Sequence, residues 1–118
     1  MTDVMTWGDQ FRSSGTSYEF QGYQHGEVGV SFIVVNGSPG SGPALHRHPY
    51  AEVFVVLEGQ ASFTVDDATI EATAGQIVIV PPGRAHKYVN AGDRPLRQVD
   101  IHSSERFVTE WLDKGATV

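Results

Sequence analysis

The fold of this chain is decided by two stretches of sequence, GSGPALHRHPYAEVFVVLEG at residues 40–59 and GQIVIVPPGRAHKYVN at residues 75–90. Both combine runs of valine, isoleucine and phenylalanine with glycine and proline, so they predict short strands separated by tight turns. In the first stretch His46 and His48 are two residues apart, and on an extended strand both side chains point to the same face. Glu52 lies at an even offset from them and shares that face if the strand continues without a bulge.

These three side chains are three of the ligands that a metal site needs. Imidazole nitrogens and carboxylate oxygens are suitable ligands for Mn, Fe, Co, Ni or Zn. A third imidazole, that of His86, lies on a predicted strand that follows the turn Pro81-Pro82-Gly83. Three nitrogens and one oxygen leave about two positions open on an octahedral ion. Taken alone, each residue also fits a surface histidine or a solvated carboxylate. The residues around them are therefore needed to distinguish metal ligands from surface positions.

The spacing of the residues around these histidines favours the metal site. The first stretch reads G-x5-H-x-H-x3-E-x6-G from Gly40 to Gly59, and the second reads G-x5-P-x-G-x2-H-x3-N from Gly75 to Asn90. The two patterns resemble the two motifs of the cupin superfamily, and all ten signature positions match. Each pattern is expected by chance on the order of once in a million or more start positions.

The resemblance implies an all-β fold, a double-stranded β-helix or jelly-roll barrel. It also implies that four residues project into the barrel mouth as ligands of one divalent transition metal per chain (Fe, Mn, Ni or Zn): His46, His48, Glu52 and His86. The family does not fix the reaction, because similar barrels include dioxygenases, isomerases, decarboxylases, polyketide-type cyclases, sugar sensors and storage proteins. The motif glycines Gly59 and Gly75 are expected at hairpin ends with positive φ, and Asn90 is expected to end its strand.

The rest of the chain agrees with one all-β domain. A length of 118 residues is typical of a single domain, and 40% hydrophobic with 19% charged residues predicts a folded chain. The 13 glycines and 6 prolines are spread along the whole length, which favours short strands over long helices. We expect about eight strands in a core barrel at about residues 17–102, preceded by an N-terminal arm at about residues 1–16 with Trp7 and Phe11 as apolar anchors.

A short C-terminal helix is predicted at about residues 104–113. Ser103-Ser104-Glu105 can cap a helix, and an apolar stripe at helical spacing follows: Phe107, Val108, Trp111 and Leu112. Such a stripe favours a lid over the bottom or edge of the barrel rather than a recognition helix. The apolar arm at the other terminus can cover an exposed sheet edge, which predicts a homodimer.

Charge and composition exclude several classes of function. The chain has 14 acidic and 8 basic residues, a net charge of -6, and the basic residues are scattered, so nucleic acid and anionic membranes are not expected as partners. The longest apolar runs are far shorter than the ~20 residues that cross a bilayer. The absence of cysteine excludes disulfides, thiolate ligands and a cysteine nucleophile. The first ten residues lack the features of a signal peptide, which predicts a cytoplasmic protein.

Strand alternation identifies candidates for the pocket wall. Arg84 and Tyr88 are each two residues from His86, so on a strand their side chains point to the same face as His86. Both are candidate catalytic residues, because a guanidinium or a phenol beside a metal can orient an anionic substrate. Phe54 and Val56 share parity with Glu52, and we expect them to fill the barrel floor rather than to line the pocket.

Two further histidines are considered for a role. His102 has the same parity as Gln98 and Asp100 on the last predicted core strand, so it lies either beside the ligands or at the sheet edge. His25 is expected to be a loop residue without a functional role.

Two classes of function fit these features. The complete ligand set favours a metal-dependent enzyme acting on a small molecule with vicinal oxygens, such as a dioxygenase, an isomerase or a polyketide cyclase. The alternative is a non-catalytic small-molecule binding or sensor module, which needs a partner because the chain carries no DNA-binding segment. A storage role is disfavoured, since the chain is too short for two barrels and keeps every ligand.

Overall fold

The computed structural model describes residues 4–7 and 15–112, which form ten strands and one short 3-10 helix, Gly22–His25. In chain order the strands are β1 (Thr16–Gln21), β2 (Ser31–Gly37), β3 (His46–Arg47), β4 (Glu52–Glu58), β5 (Gln60–Val65), β6 (Ala68–Thr73), β7 (Ile77–Val80), β8 (His86–Asn90), β9 (Leu96–His102) and β10 (Glu110–Trp111). No helix in these described ranges is long and apolar enough to cross a membrane.

The strands form two five-stranded sheets in which all neighbours are antiparallel. Sheet A has the order β1-β2-β9-β4-β7, and sheet B has the order β10-β3-β8-β5-β6. From β2 onward the chain passes repeatedly from one sheet to the other, which is the winding of a jelly roll. The predicted double-stranded β-helix is therefore confirmed.

Alternate residues of each strand build the core between the sheets. In β4 the side chains of Glu52, Phe54 and Val56 are buried, and the residues between them are partly exposed. The apolar core consists of residues from both sheets: Phe54, Val56, Ala61, Phe63, Ala72, Val78, Val80 and Leu96. Val56 thus fills the barrel floor, as the alternation predicted, whereas Phe54 belongs to the core and also lines the cavity described below, so the expectation that it would not line the pocket is wrong.

Motif residues outside the ligand set shape the turns. Gly59 and Gly75 have φ angles of 93° and 88°, which confirms the predicted positive φ. A Cβ atom on Gly59 would also lie 2.8 Å from the Pro95 backbone oxygen, so a side chain is excluded there on two grounds. Asn90 ends β8: its Oδ1 accepts a hydrogen bond from the Gly92 N–H at 2.9 Å, and its Nδ2 donates to the Gly37 oxygen of sheet A at 3.0 Å.

The predicted C-terminal helix is wrong over residues 104–112, and residue 113 lies outside the described chain. Glu110 and Trp111 instead form β10, which pairs with β3, and the Leu112 N–H donates to the Leu45 oxygen at 3.0 Å. Aromatic residues four apart fit one face of a helix, but they also fit one face of a strand. The strand pairing prevails because β3 would otherwise be an open edge of sheet B.

The structure describes only part of the arm predicted at about residues 1–16. The Trp7 ring centroid lies 6.4 Å from that of Tyr18 on β1, and Thr16 already belongs to that strand. Phe11, the second predicted anchor, lies outside the described residues.

Candidate metal centre

Four ligand candidates from both sheets meet inside one end of the barrel. One donor atom from each lies within 4.8 Å of the others, and all four residues are buried: His46, His48, Glu52 and His86. His46 on β3 is directly opposite His86 on β8, and Glu52 begins β4 in sheet A. The structure thus assembles the whole set that the motifs predicted, and we refer to these four residues as the His/Glu cluster.

Backbone carbonyl groups fix the orientation of the three imidazole rings in this cluster. Each Nδ1 is bonded to a backbone oxygen at 2.7 to 2.9 Å: His46 to Ala44, His48 to Val108, and His86 to Arg84. Because a carbonyl oxygen can only accept, Nδ1 carries the proton, and in a neutral ring Nε2 presents a lone pair. Metal-binding histidines are held in the same way, with one nitrogen bonded to the protein and the other facing the ion.

The Glu52 carboxylate lies where these Nε2 atoms converge. Its Oε1 is 3.0 Å from Nε2 of His86 and 3.1 Å from Nε2 of His48. Lone pairs facing a carboxylate oxygen at this distance repel it unless a proton or a cation lies between them. Despite that distance, Nε2 of His48 makes no hydrogen bond to any residue in the described ranges. The donor set therefore fits a divalent transition metal.

The protonation states of the cluster follow from burial and from Glu52. Burial raises the pKa of Glu52, but the imidazoles of His102, His48 and His86 around its carboxylate outweigh burial and hold that pKa well below its usual range. Burial lowers the pKa of His46 to about 4. Burial also lowers the pKa of His86, but the hydrogen bonds to Glu52 and to the Arg84 oxygen, together with the charge of Glu52, outweigh burial, and the pKa is raised. At neutral pH the cluster therefore contains a carboxylate and a neutral His46, and His86 holds a proton more readily than His46.

His102 lies inside the barrel beside Glu52, not at the sheet edge. Its Nε2 is 3.1 Å from Glu52 Oε2, and the two residues are opposite each other on β9 and β4. The Tyr50 hydroxyl accepts a hydrogen bond from the Val108 N–H at 3.1 Å, so we assign its own proton to His102 Nδ1, 2.7 Å away. With that assignment the His102 proton lies on Nε2, the opposite tautomer to the three cluster rings. Like His48 Nε2, this atom faces the carboxylate at 3.1 Å but makes no hydrogen bond to any residue in the described ranges.

A cavity of about 460 Å³ opens beside the cluster. Aromatic and aliphatic side chains make much of its wall: Ile33, Val35, Phe54, Tyr88, Leu96, Phe107 and Trp111. The Trp111 ring centroid is 5.0 Å from that of His46, and Phe107 is 4.8 Å from His102. The C-terminal segment is therefore a wall of the site, a position that was not predicted from the sequence. The alternation of Phe107, Thr109 and Trp111 was the available signal.

Tyr88 faces this cavity and is linked to a buried acid. Its hydroxyl donates to Asp100 Oδ2 at 3.3 Å, and Gln98 Nε2 donates to Asp100 Oδ1 at 2.7 Å. Burial, together with the charge of Glu52, raises the pKa of Asp100 well above its usual range. Burial and the neighbouring Asp100 also raise the pKa of Tyr88, so its hydroxyl is a neutral donor.

Two other residues considered in the sequence analysis lie away from the cavity wall. The Arg84 side chain is 59% exposed and pairs with Asp66 at 2.6 Å. Only the Arg84 backbone oxygen reaches the site, through His86. His25 ends the 3-10 helix and stacks on Phe20, with ring centroids 4.6 Å apart.

The chain is similar in sequence and fold to known proteins. A family model described as the cupin domain matches residues 33–102. The chain is 31% identical over 106 residues to mannose-1-phosphate guanylyltransferase 2 of Escherichia coli O157:H7, a match that covers 88% of this chain and 21% of that protein. It is 37% identical over 62 residues to the polyketide synthase CurC of Streptomyces cyaneus, covering 52% of this chain and 40% of that protein.

The structure of oxalate decarboxylase from Bacillus subtilis, a protein with Mn(II) centres, has a TM-score of 0.76 and 25% sequence identity to this chain. The match covers 86% of this chain and 29% of that one. The chain thus spans 21% of the length of the guanylyltransferase and 40% of that of the polyketide synthase. It spans less than a third of the oxalate decarboxylase chain.

Proposed function

The chain belongs to the cupin family, and from that premise we propose that it is a metal-dependent enzyme acting on a small organic molecule that chelates the metal. One divalent transition metal, Fe, Mn, Ni or Zn, would be held by the His/Glu cluster. The observation that carries this proposal is the convergence of three Nε2 atoms, each fixed by a backbone carbonyl, on one buried carboxylate. When bound, such an ion supplies Lewis-acid polarisation or activation of dioxygen.

The cavity supports a small-molecule substrate. Its volume of about 460 Å³ lies within the roughly 300 to 1,000 Å³ of small-molecule sites. Phe54, Leu96 and Trp111 line it and would exclude water around an apolar or aromatic body. Polar side chains line it at the cluster and at Asp100, and Ser17 and Glu19 of β1 line it as well, which suits a substrate with oxygens that reach the cluster.

Tyr88 is the residue that we propose to contact the substrate as a catalytic group. Its neutral hydroxyl donates to Asp100 and can donate instead to a substrate oxygen in the cavity. Arg84 is left out of this proposal because its guanidinium is paired with Asp66 on the surface.

Metal-dependent binding without conversion is the second candidate function. It is supported by the similarity to one part of a longer protein, mannose-1-phosphate guanylyltransferase 2, since a barrel of one fold serves different functions in different proteins. The same cavity and cluster would then hold a ligand for recognition alone.

The two functions are separated by a substrate screen. Protein loaded in parallel with Fe, Mn, Ni or Zn is offered catechols, flavonoids, β-diketones, keto sugars and short dicarboxylates, and oxygen uptake and product mass are followed. We expect conversion of one class, and we expect Tyr88→Phe to lower turnover by about 10- to 100-fold while the metal content stays that of wild type. Tight binding of one compound without conversion under any metal would overturn the enzyme proposal in favour of the binding module.

Metal affinity is expected to fall as the pH decreases from about 7.5 to 5.5. His46 stays unprotonated over this range because its pKa is lowered to about 4, whereas the raised pKa of His86 leaves a proton for the metal to displace. At lower pH a larger fraction of His86 is protonated, so protons compete more strongly with the metal for this imidazole. Calorimetric titration with Zn²⁺ in buffers of different ionisation enthalpy measures both the affinity and the protons released. An affinity that is constant over this range would contradict the assignment of His86 as a ligand.

A further inference from the structure

One row of side chains on the inner face of sheet A forms a wall of the cavity. The strand registers align this row across β1, β2, β9 and β4, and all four of its residues line the cavity: Glu19, Ile33, Asp100 and Phe54. Glu52 lies in the neighbouring row, two residues before Phe54 on β4. Glu19 is exposed on the edge strand β1, whereas Asp100 and Glu52 are buried. Three carboxyl groups therefore face the cavity, one at its rim, one in its wall and one at the His/Glu cluster.

The basic side chains of the described residues lie elsewhere. Among residues 4–7 and 15–112, no lysine or arginine lines the cavity. Arg47 and Arg84 pair with acidic side chains at exposed positions, and the Arg106 guanidinium lies over the Tyr23 ring, 4.2 Å from its centroid. Arg12 and Lys114 lie outside the described residues. The charge that the described wall presents to a substrate is thus negative.

The aromatic part of the wall acts in the same direction. Phe54, Tyr88, Phe107 and Trp111 line the cavity, and the face of an aromatic ring attracts cations. A metal in the His/Glu cluster would compensate the charge of the oxygens bound to it. A carboxylate or phosphate farther along the cavity would lose water among these rings and carboxyl groups without gaining a counter-charge from the described wall, which is costly.

We propose that the cavity selects its substrate by charge, accepting a body that is neutral or carries an amine and discriminating against carboxylate and phosphate groups beyond the metal. This inference rests on the proposed function, because it describes the substrate of the same cavity. Glu19 is the specificity-determining residue at the rim, where its carboxylate can pair with an ammonium group. Glu19 and Glu52 are three strands apart, about 14 Å between backbones at about 4.8 Å per strand, and their side chains shorten that span.

Three catechols with side chains of similar size test this selection. They are the amine dopamine, the neutral ethylcatechol and the acid homoprotocatechuate, which share the same chelating head. Calorimetric titration of the Zn-loaded full chain at neutral pH, without oxygen, measures their affinities. We expect dopamine to bind at least about 10-fold more tightly than homoprotocatechuate, with ethylcatechol between them. The difference should shrink at high salt, because the Glu19 carboxylate is exposed.

Glu19→Gln should lower the affinity for dopamine by about 3-fold and leave that for ethylcatechol and the zinc content unchanged. Glu71→Gln is the matched control, since it removes the same charge from the outer face of sheet B, where the carboxylate accepts a hydrogen bond from Ser62 at 2.7 Å. It should leave all three affinities unchanged.

Two results would overturn the inference alone: homoprotocatechuate that binds as tightly as dopamine, or an equal loss of dopamine affinity in both variants. A Zn-loaded chain that binds none of the three catechols would count against the proposed function as well. The two failures are therefore distinguishable.

Discussion

Replacing Glu52 by glutamine is expected to leave the barrel folded and to lower metal affinity by about 100-fold or more. The amide has nearly the same shape as the carboxylate, so it fits the same space beside His102 Nε2, which lies 3.1 Å from Oε2. It lacks the negative charge that offsets a divalent cation among the imidazoles of His48 and His86. Metal analysis by mass spectrometry, on protein purified without chelators, measures the loss.

Arg84→Gln is the control for this variant. Its guanidinium pairs with Asp66 at an exposed position, and only its backbone oxygen supports His86. We expect metal content equal to wild type and a change in stability of about 1 kcal/mol or less. Equal metal content in wild type and Glu52→Gln would show that the carboxylate does not bind the ion.

Replacing Phe63 by alanine is expected to lower the free energy of unfolding by about 3 to 5 kcal/mol. Phe63 is fully buried, and its ring contacts those of Phe54 and Tyr88 at centroid distances of 4.9 and 5.5 Å. The truncation leaves a cavity in the centre of the core, and the loss is a large part of the roughly 5 to 15 kcal/mol that stabilises a domain. Because Tyr88 rests on this ring, the cavity wall should loosen as well.

Urea denaturation followed by circular dichroism measures this effect. Metal-free protein at one fixed chain concentration is used, so that neither metal binding nor association contributes to the difference. Val89→Ala, on the outer face of sheet B, should lose about 1 kcal/mol or less. A Phe63→Ala variant within 1 kcal/mol of wild type would mean that the core does not depend on this ring.

The sequence predicts the cluster well because its spacing encodes local geometry. A separation of two residues places His46 and His48 on one side of an extended segment, and the turn before His86 begins the strand that faces them. Positive φ at Gly59 and Gly75 is equally local, since few other residues adopt it.

The features that the sequence did not predict depend on where strands meet. Alternation placed Arg84 beside His86, but β8 begins at His86, so Arg84 lies in the preceding turn, where alternation does not hold. Trp111 fitted a helix as well as a strand, and only the free edge of β3 decides between them. Likewise, the assignment of His102 to the ligand side required the register that places it opposite Glu52.

Anomalous X-ray diffraction from crystals of Mn-loaded protein tests the metal centre most directly. We predict one peak per chain, about 2.0 to 2.5 Å from the Nε2 atoms of His46, His48 and His86 and from a carboxylate oxygen of Glu52. His102 Nε2 should lie outside that distance. A peak at another place in the chain, or no peak under saturating metal, would contradict the assignment of the His/Glu cluster as the metal site.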